Sequence, residues 1–113
     1  VSDRSGNASV RRLTVEGAGR PFALDVRQNI PNPFNPTTVI PFSISREARV
    51  TVEVFDLTGR KVALLADRTF PAGTHSLAWN ARDDRGRQVS SGTYLYRISA
   101  GGRAFSVKML LLR

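Results

Sequence analysis

From Ile40 onward the sequence repeats one pattern, a short run with apolar residues at alternate positions followed by a Gly, Pro, Asn or Asp turn. A period of two is the signature of half-buried β-strands. Ile40, Phe42 and Ile44 share one face of the first run, and Pro41, which has no amide proton, predicts an edge position or a bulge for that strand. Val50, Val52 and Val54 alternate with Arg49, Thr51 and Glu53 and lead through Asp56-Leu57-Thr58-Gly59-Arg60 into a return run over 62–65, which predicts a hairpin. The run over 75–80 places His75, Leu77 and Trp79 on one side, with Trp79 expected at the centre of the core, and Asp83-Asp84-Arg85-Gly86 reads as a turn. Tyr94, Tyr96 and Ile98 then share a face. Gly101-Gly102 supplies the positive φ angles of a tight hairpin, and Phe105, Val107, Met109 and Leu111 form the returning strand.

No helical periodicity competes with this pattern. The expected fold class is all-β, an immunoglobulin-like β-sandwich of about seven antiparallel strands with an extended N-terminal arm. A length of 113 residues suits one domain. The division expected is an arm or linker over 1–21, containing a strand-like segment at 10–16, and the sandwich domain over 22–113. Within the arm, Val10, Leu13 and Val15 form a candidate interaction strand, followed by a glycine-containing joint over 17–21. Phe22, Leu24 and Val26 resume the alternation. The segment Asn29-Ile30-Pro31-Asn32-Pro33-Phe34-Asn35-Pro36 is expected to be a stiff, non-helical strap, because each proline restricts the residue before it to extended conformations.

Several kinds of chemistry find no support in these residues. No apolar run approaches the roughly 20 residues that a membrane-crossing helix needs. The chain has no cysteine, which removes disulfides and thiolate metal sites. His75 is the one histidine and has no partners in sequence for a metal site or a nucleophilic triad, so it is expected to be packed or superficial. Asp83-Asp84 is flanked by Arg82 and Arg85 and lacks the further spaced oxygen ligands of a calcium loop, so a structural turn is expected. Gly101-Gly102 has neither the lysine nor the following helix of a phosphate-binding loop. The net charge of +8 is spread singly rather than in a block, which favours a soluble arginine-rich surface over nucleic-acid binding. The expectation is therefore no catalytic residue, no metal, no cofactor, no nucleic acid and no small-molecule substrate. Asn7-Ala8-Ser9 matches a glycosylation sequon, with chance the expected explanation. The sequence opens on Val1 without an initiator Met, which reads as a processed product or an excised fragment.

Asn32-Pro33-Phe34-Asn35-Pro36-Thr37-Thr38, followed by Val54-Phe55-Asp56-Leu57-Thr58-Gly59-Arg60-Lys61-Val62, resembles the C-terminal sorting domains of the type IX secretion system. It also resembles the immunoglobulin-like domain of flagellar hook-capping proteins. The likeness continues through Pro71-Ala72-Gly73-Thr74-His75, Trp79-Asn80, Asp83-Asp84-Arg85-Gly86-Arg87, Val89, Ser91-Gly92-Thr93-Tyr94 and Lys108-Met109, and covers roughly residues 22–113. It marks Asn32, Pro33, Phe34, Asn35, Pro36, Gly59, Trp79, Asp84, Gly86, Gly92 and Tyr94 as motif residues, and Lys108 and Met109 as the C-terminal strand. The resemblance implies a non-catalytic bacterial module of secreted or cell-surface proteins that directs export and surface attachment through the secretion machinery.

Two other readings are weighed beside it. Val10, Leu13 and Val15 lie on a tethered strand that suits donation to a neighbouring copy, which would build a homo-oligomer or an extracellular filament. Trp79, Tyr94 and Tyr96 suggest a sugar-binding platform and hence a carbohydrate-binding module, although their alternation favours burial, with the tyrosine hydroxyls bonded to backbone.

Overall fold

The structure, a computed structural model, describes residues 21–113. Val10, Leu13, Val15 and the rest of the expected arm, Pro21 excepted, lie outside the described residues. Seven strands follow in order: β1 Leu24–Val26, β2 Thr38–Ile44, β3 Ala48–Asp56, β4 Lys61–Phe70, β5 Gly73–Trp79, β6 Gly92–Ala100 and β7 Arg103–Leu111. They form a three-stranded sheet ordered β1-β2-β5 and a four-stranded sheet ordered β4-β3-β6-β7, and the strands of each pair run antiparallel. No helix occurs among the described residues. This is the expected immunoglobulin-like sandwich.

The alternation read from the sequence sets the two inner faces. Ile40, Phe42 and Ile44 of β2 are buried, as are Val50, Val52 and Val54 of β3 and Tyr94, Tyr96 and Ile98 of β6. The register carries this phase across the sheet, with Val52 opposite Ile98 and Val54 opposite Tyr96. Tight hairpins join β3 to β4 and β6 to β7, and the second uses Gly101 and Gly102 at φ +56° and +78°, a conformation that costs glycine little. In β4 the register slips twice, between Val52/Glu53 and between Val54/Phe55, so that Leu65 and Val62 have no opposite residue. Such bulges bend and twist an edge strand.

The structure corrects two expectations. Pro41 does not mark an edge, since β2 is the central strand of its sheet, between β1 and β5. The chain accommodates the proline where β1 ends: Arg27 donates its amide to the Pro41 carbonyl at 3.2 Å, while the Arg27 carbonyl, which Pro41 cannot serve, accepts the Tyr96 hydroxyl at 2.5 Å. Trp79 is buried but closes one end of the sandwich rather than occupying its centre, because it is the last residue of β5, opposite Thr38 at the start of β2.

Both edges of the four-stranded sheet receive cover. At β4, Asp84 donates its amide to the Val62 carbonyl at 3.2 Å and accepts the Leu64 amide on Oδ1 at 2.9 Å. At β7 the strap takes over: Phe34 donates to the Leu110 carbonyl at 2.9 Å and accepts the Leu112 amide at 3.0 Å, and Asn32 Oδ1 accepts the Leu110 amide at 2.9 Å. Unpaired edge groups invite association with other chains, so each cap blunts that tendency.

Candidate functional site

The motif residues of the sequence converge on the end of the sandwich where β3, β5 and β7 finish and β6 begins. The strap is pinned there from beneath. Asn29 and Thr38 are buried polar residues; Asn29 Nδ2 donates to Thr38 Oγ1 at 2.9 Å and to the Pro31 carbonyl at 3.1 Å, and Thr38 Oγ1 donates to the same carbonyl at 2.8 Å. A closed polar network of this kind satisfies groups that would otherwise be costly to bury. Ahead of it, Gln28 Nε2 donates to the Lys108 carbonyl at 2.9 Å.

Above the strap three aromatic rings pack in series. Phe34 lies 5.8 Å from Trp79, and Trp79 meets Tyr94 edge-on at 5.6 Å and 70°. The polar atoms of this nest are spent on backbone, with Trp79 Nε1 donating to the Arg82 carbonyl at 2.9 Å and the Tyr94 hydroxyl to that of Ser90 at 2.6 Å. Trp79, Tyr94 and Tyr96 are 2%, 7% and 0% exposed, so these rings offer no platform to a sugar, and their burial with hydroxyls bonded to backbone follows from the alternation. Met109 is buried in the same end, and the Lys108 side chain is exposed. Asn35 and Pro36 stand on the surface, as does Pro33. Arg113 closes the end, its guanidinium donating to the carbonyls of Val89 at 2.6 Å and Ala81 at 3.0 Å.

Two turns project from this end, and they are built alike. Asp56-Leu57-Thr58-Gly59-Arg60 and Asp83-Asp84-Arg85-Gly86-Arg87 both read Asp-x-x-Gly-Arg. In each, the aspartate Oδ1 accepts the amides two and four residues on, Thr58 and Arg60 at 2.9 and 3.0 Å, Arg85 and Arg87 at 3.0 and 2.9 Å. In each, the glycine amide returns to the aspartate carbonyl, at 3.0 Å for Gly59 and 2.9 Å for Gly86, and the glycine φ is positive, +88° and +81°. The side-chain carboxylate replaces a backbone turn partner, which is why the position requires Asp. The hydroxyl and amide donors of Thr58 and Arg60 hold the Asp56 carboxyl below its ordinary range, and the amides of Arg87 and Arg85 do the same for Asp83.

Between the two turns runs an open groove of about 580 Å³, lined by Arg60, Lys61, Arg85 and Arg87 together with Asp56 and Asp83. Oδ1 of Asp56 and of Asp83 takes the turn amides, while Oδ2 pairs with the turn's own arginine, Arg60 at 3.8 Å and Arg87 at 3.3 Å, and Asp84 also lines the groove, so its wall carries both charges. Among the described residues no cluster of three or more His, Cys, Asp or Glu is placed to hold a metal ion. His75 is remote from this end; its ring packs between Phe42 and Phe70 and bonds the Pro71 carbonyl at 2.7 Å.

The motif residues are legible one by one in the sequence, and the shared letters of Asp56 to Arg60 and Asp83 to Arg87 signal the repeated turn, whereas nothing local marks Asn29 as buried. Thr38 was detectable, because it falls in phase with Ile40, Phe42 and Ile44 and a hydroxyl in that phase must find a buried partner.

An antiparallel two-sheet sandwich, strapped along one edge by a proline-rich segment and carrying paired aspartate turns, defines an immunoglobulin-like domain. The chain belongs to the FlgD Ig-like domain family, whose profile it matches over residues 34–103. None of the curated proteins matches it. Among solved structures it is similar to dimeric latent PorU from Porphyromonas gingivalis, at 24% identity and a TM-score of 0.70, over 90% of this chain and 10% of that one. It is also similar to PorZ of the same organism, an essential bacterial surface component of the type IX secretion system, at 26% identity and a TM-score of 0.53, over 78% of this chain and 11% of that one. A third likeness, to the Pseudomonas fluorescens alkylpurine DNA glycosylase AlkC bound to abasic-site DNA, has 15% identity and a TM-score of 0.52, over 80% of this chain and 30% of that one. The first and third show the fold alone. The chain spans about a tenth of the length of PorU and PorZ.

Proposed function

We propose that this domain is a non-catalytic sorting and surface-attachment module of the type IX secretion system, carried by a secreted or cell-surface bacterial protein and recognised by the secretion machinery. The observation that carries the reading is the similarity to part of PorZ, a surface component of that system, in a chain whose motif residues gather at one end of the sandwich. The division of labour follows the chain. Residues 22–113 form the recognised unit, in line with the burial of Phe22 in its core, and residues 1–21 serve as the arm that joins it to other parts.

Recognition falls on the end bearing the two Asp-x-x-Gly-Arg turns. Asn32, Phe34, Trp79, Tyr94, Gly92 and Met109 act from below, by fixing the strap and the strand ends, while Gly59 and Gly86 set the turns that display Arg60, Arg85 and Arg87, and Asp84 ties the second turn to β4. A pre-organised surface of this kind, on which four cationic side chains stand beside three carboxylates, binds at low ordering cost and orients a charged partner. The test is export of a reporter fused ahead of residues 22–113 in a bacterium with a working type IX system. The reading expects the reporter outside the outer membrane; a reporter held in the periplasm with and without the domain contradicts it.

A further inference from the structure

The four-stranded sheet carries a second groove at the end away from the paired turns. It holds about 360 Å³ and is lined by Arg49, Thr51, Arg97, Ser99, Arg103 and the two glycines of the β6–β7 hairpin. Strand phase brings these groups together. Val50, Val52, Ile98 and Ala100 are buried, so Arg49, Thr51, Arg97 and Ser99, which alternate with them, stand on the outer face. Thr51 lies opposite Ser99, and Ser99 opposite Ala104, so a row of short side chains crosses three strands as the floor. Because the strands are antiparallel, Arg49 borders that row on one side and Arg97 on the other, while Arg103 reaches the groove from the hairpin.

Two of the three guanidinium groups are held through Nε. Arg49 Nε donates to Asp67 Oδ1 at 2.9 Å, and Arg103 Nε donates to the Phe22 carbonyl at 3.1 Å. These bonds fix the planes of the forks before any ligand arrives, so their terminal nitrogens keep a set direction. The carboxylates that border the groove are engaged by neighbours. Asp67 also accepts the Thr51 hydroxyl at 3.3 Å, and Glu53, opposite Arg97, pairs with Lys61 at 3.5 Å. Planar forks of this kind match the oxygens of a phosphoryl group, which carries a charge of about −1.5 to −2 at neutral pH. We propose that the groove binds a phosphoryl group, with Arg97 and Arg103 donating to its oxygens, the Ser99 hydroxyl donating from the floor and Arg49 adding charge from the side. This site is separate from the end assigned to sorting, so the two are tested independently.

The test follows the amide chemical shifts of the full 113-residue chain during titration with inorganic phosphate and with glucose 6-phosphate at neutral pH. Sodium chloride at matched ionic strength controls for screening. The expected result is saturable movement of the Ser99, Gly101 and Gly102 amides, with binding weakened about tenfold in Arg97→Gln, on the order of one lost charge-assisted hydrogen bond. Arg68→Gln removes the same charge at a position opposite the buried Val50, with the Arg68 guanidinium over the Phe70 ring, and is expected to leave binding unchanged. Inorganic phosphate that binds at least as tightly as the sugar phosphate identifies the free ion as a sufficient ligand; tighter binding of the sugar phosphate identifies a monoester. Movement that chloride reproduces, no saturation with either phosphate, or equal weakening in the two variants overturns the proposal.

Discussion

The hydroxyl of Tyr96, at the centre of the four-stranded sheet, donates to the backbone carbonyl of Arg27, at the end of the first strand of the opposite sheet. The bond crosses the sandwich at the one ladder position that Pro41 leaves without a donor. A side chain in one sheet thus completes the hydrogen bonding of the other, and it does so at the point where the strap departs.

Tyr96→Phe is expected to keep the packing and leave the Arg27 carbonyl unsatisfied, at a cost of about 1–3 kcal/mol. Urea unfolding of parent and variant measures it, with an unchanged m-value showing that the fold is retained.

Alkaline titration reports on the same bond. Burial pushes the Tyr96 phenol up to about 12, and burial also raises that of Tyr94. Because both folded values lie above the unfolded value of about 10, the stabilisation is complete below that value and is lost at higher pH, for Tyr96 as pH rises through about 12. The chain has two tyrosines, so the rise in absorbance at 295 nm is expected at higher pH in the folded protein than once it is unfolded in urea. A full tyrosinate signal near pH 10 without denaturant contradicts the burial.

Phe34→Ala removes the ring that joins the strap to Trp79 and is expected to cost about 3–5 kcal/mol, as for other buried phenylalanines. Asn32→Ala removes one hydrogen bond to the Leu110 amide and is expected to cost about 1 kcal/mol. The ordering of the two is the useful comparison: equal losses in thermal unfolding would mean that the motif acts through its backbone path alone.

The aspartate turns give the domain an acid limb. Asp56 and Asp83 have carboxyls held below the ordinary value by the donors around them, so their contribution is present above about pH 4 and disappears as pH falls through the lowered values. Replacing both with Asn keeps the Oδ1 acceptors and removes the charge. Melting temperature followed from pH 7 downward is expected to fall less steeply below pH 4 in the double variant, with the Arg49-paired Asp67 accounting for part of the remaining slope.

Much of the sandwich was legible in the sequence because burial and strand geometry share a period of two, so Val50, Val52, Val54, Tyr94, Tyr96 and Ile98 declare their face directly. The glycine turns were equally plain. What stayed hidden depends on pairing between distant segments. Pro41 signalled an edge because a proline cannot donate to a ladder, but a strand only three residues long could end beside it and pass the orphan carbonyl to Tyr96. Trp79 signalled a core centre because of its size, yet its position along β5, which fixes its depth, follows only from the register with β2. For the candidate site, the letters of the motif were visible while its geometry was not. Asp84 is one of two adjacent aspartates in sequence, and nothing local distinguishes Asp83, which builds its own turn, from Asp84, which caps β4 twenty residues away.

The most direct test of the sorting role compares one reporter fused to residues 22–113 in two strains, with and without a functional type IX system, and adds a variant in which Arg60, Arg85 and Arg87 are changed to Glu. Surface exposure is read by protease accessibility on intact cells. The account predicts surface reporter in the competent strain alone and a marked loss with the Glu variant, whose fold is retained by circular dichroism. Equal surface exposure in the two strains, or a reporter that never leaves the periplasm, would contradict it.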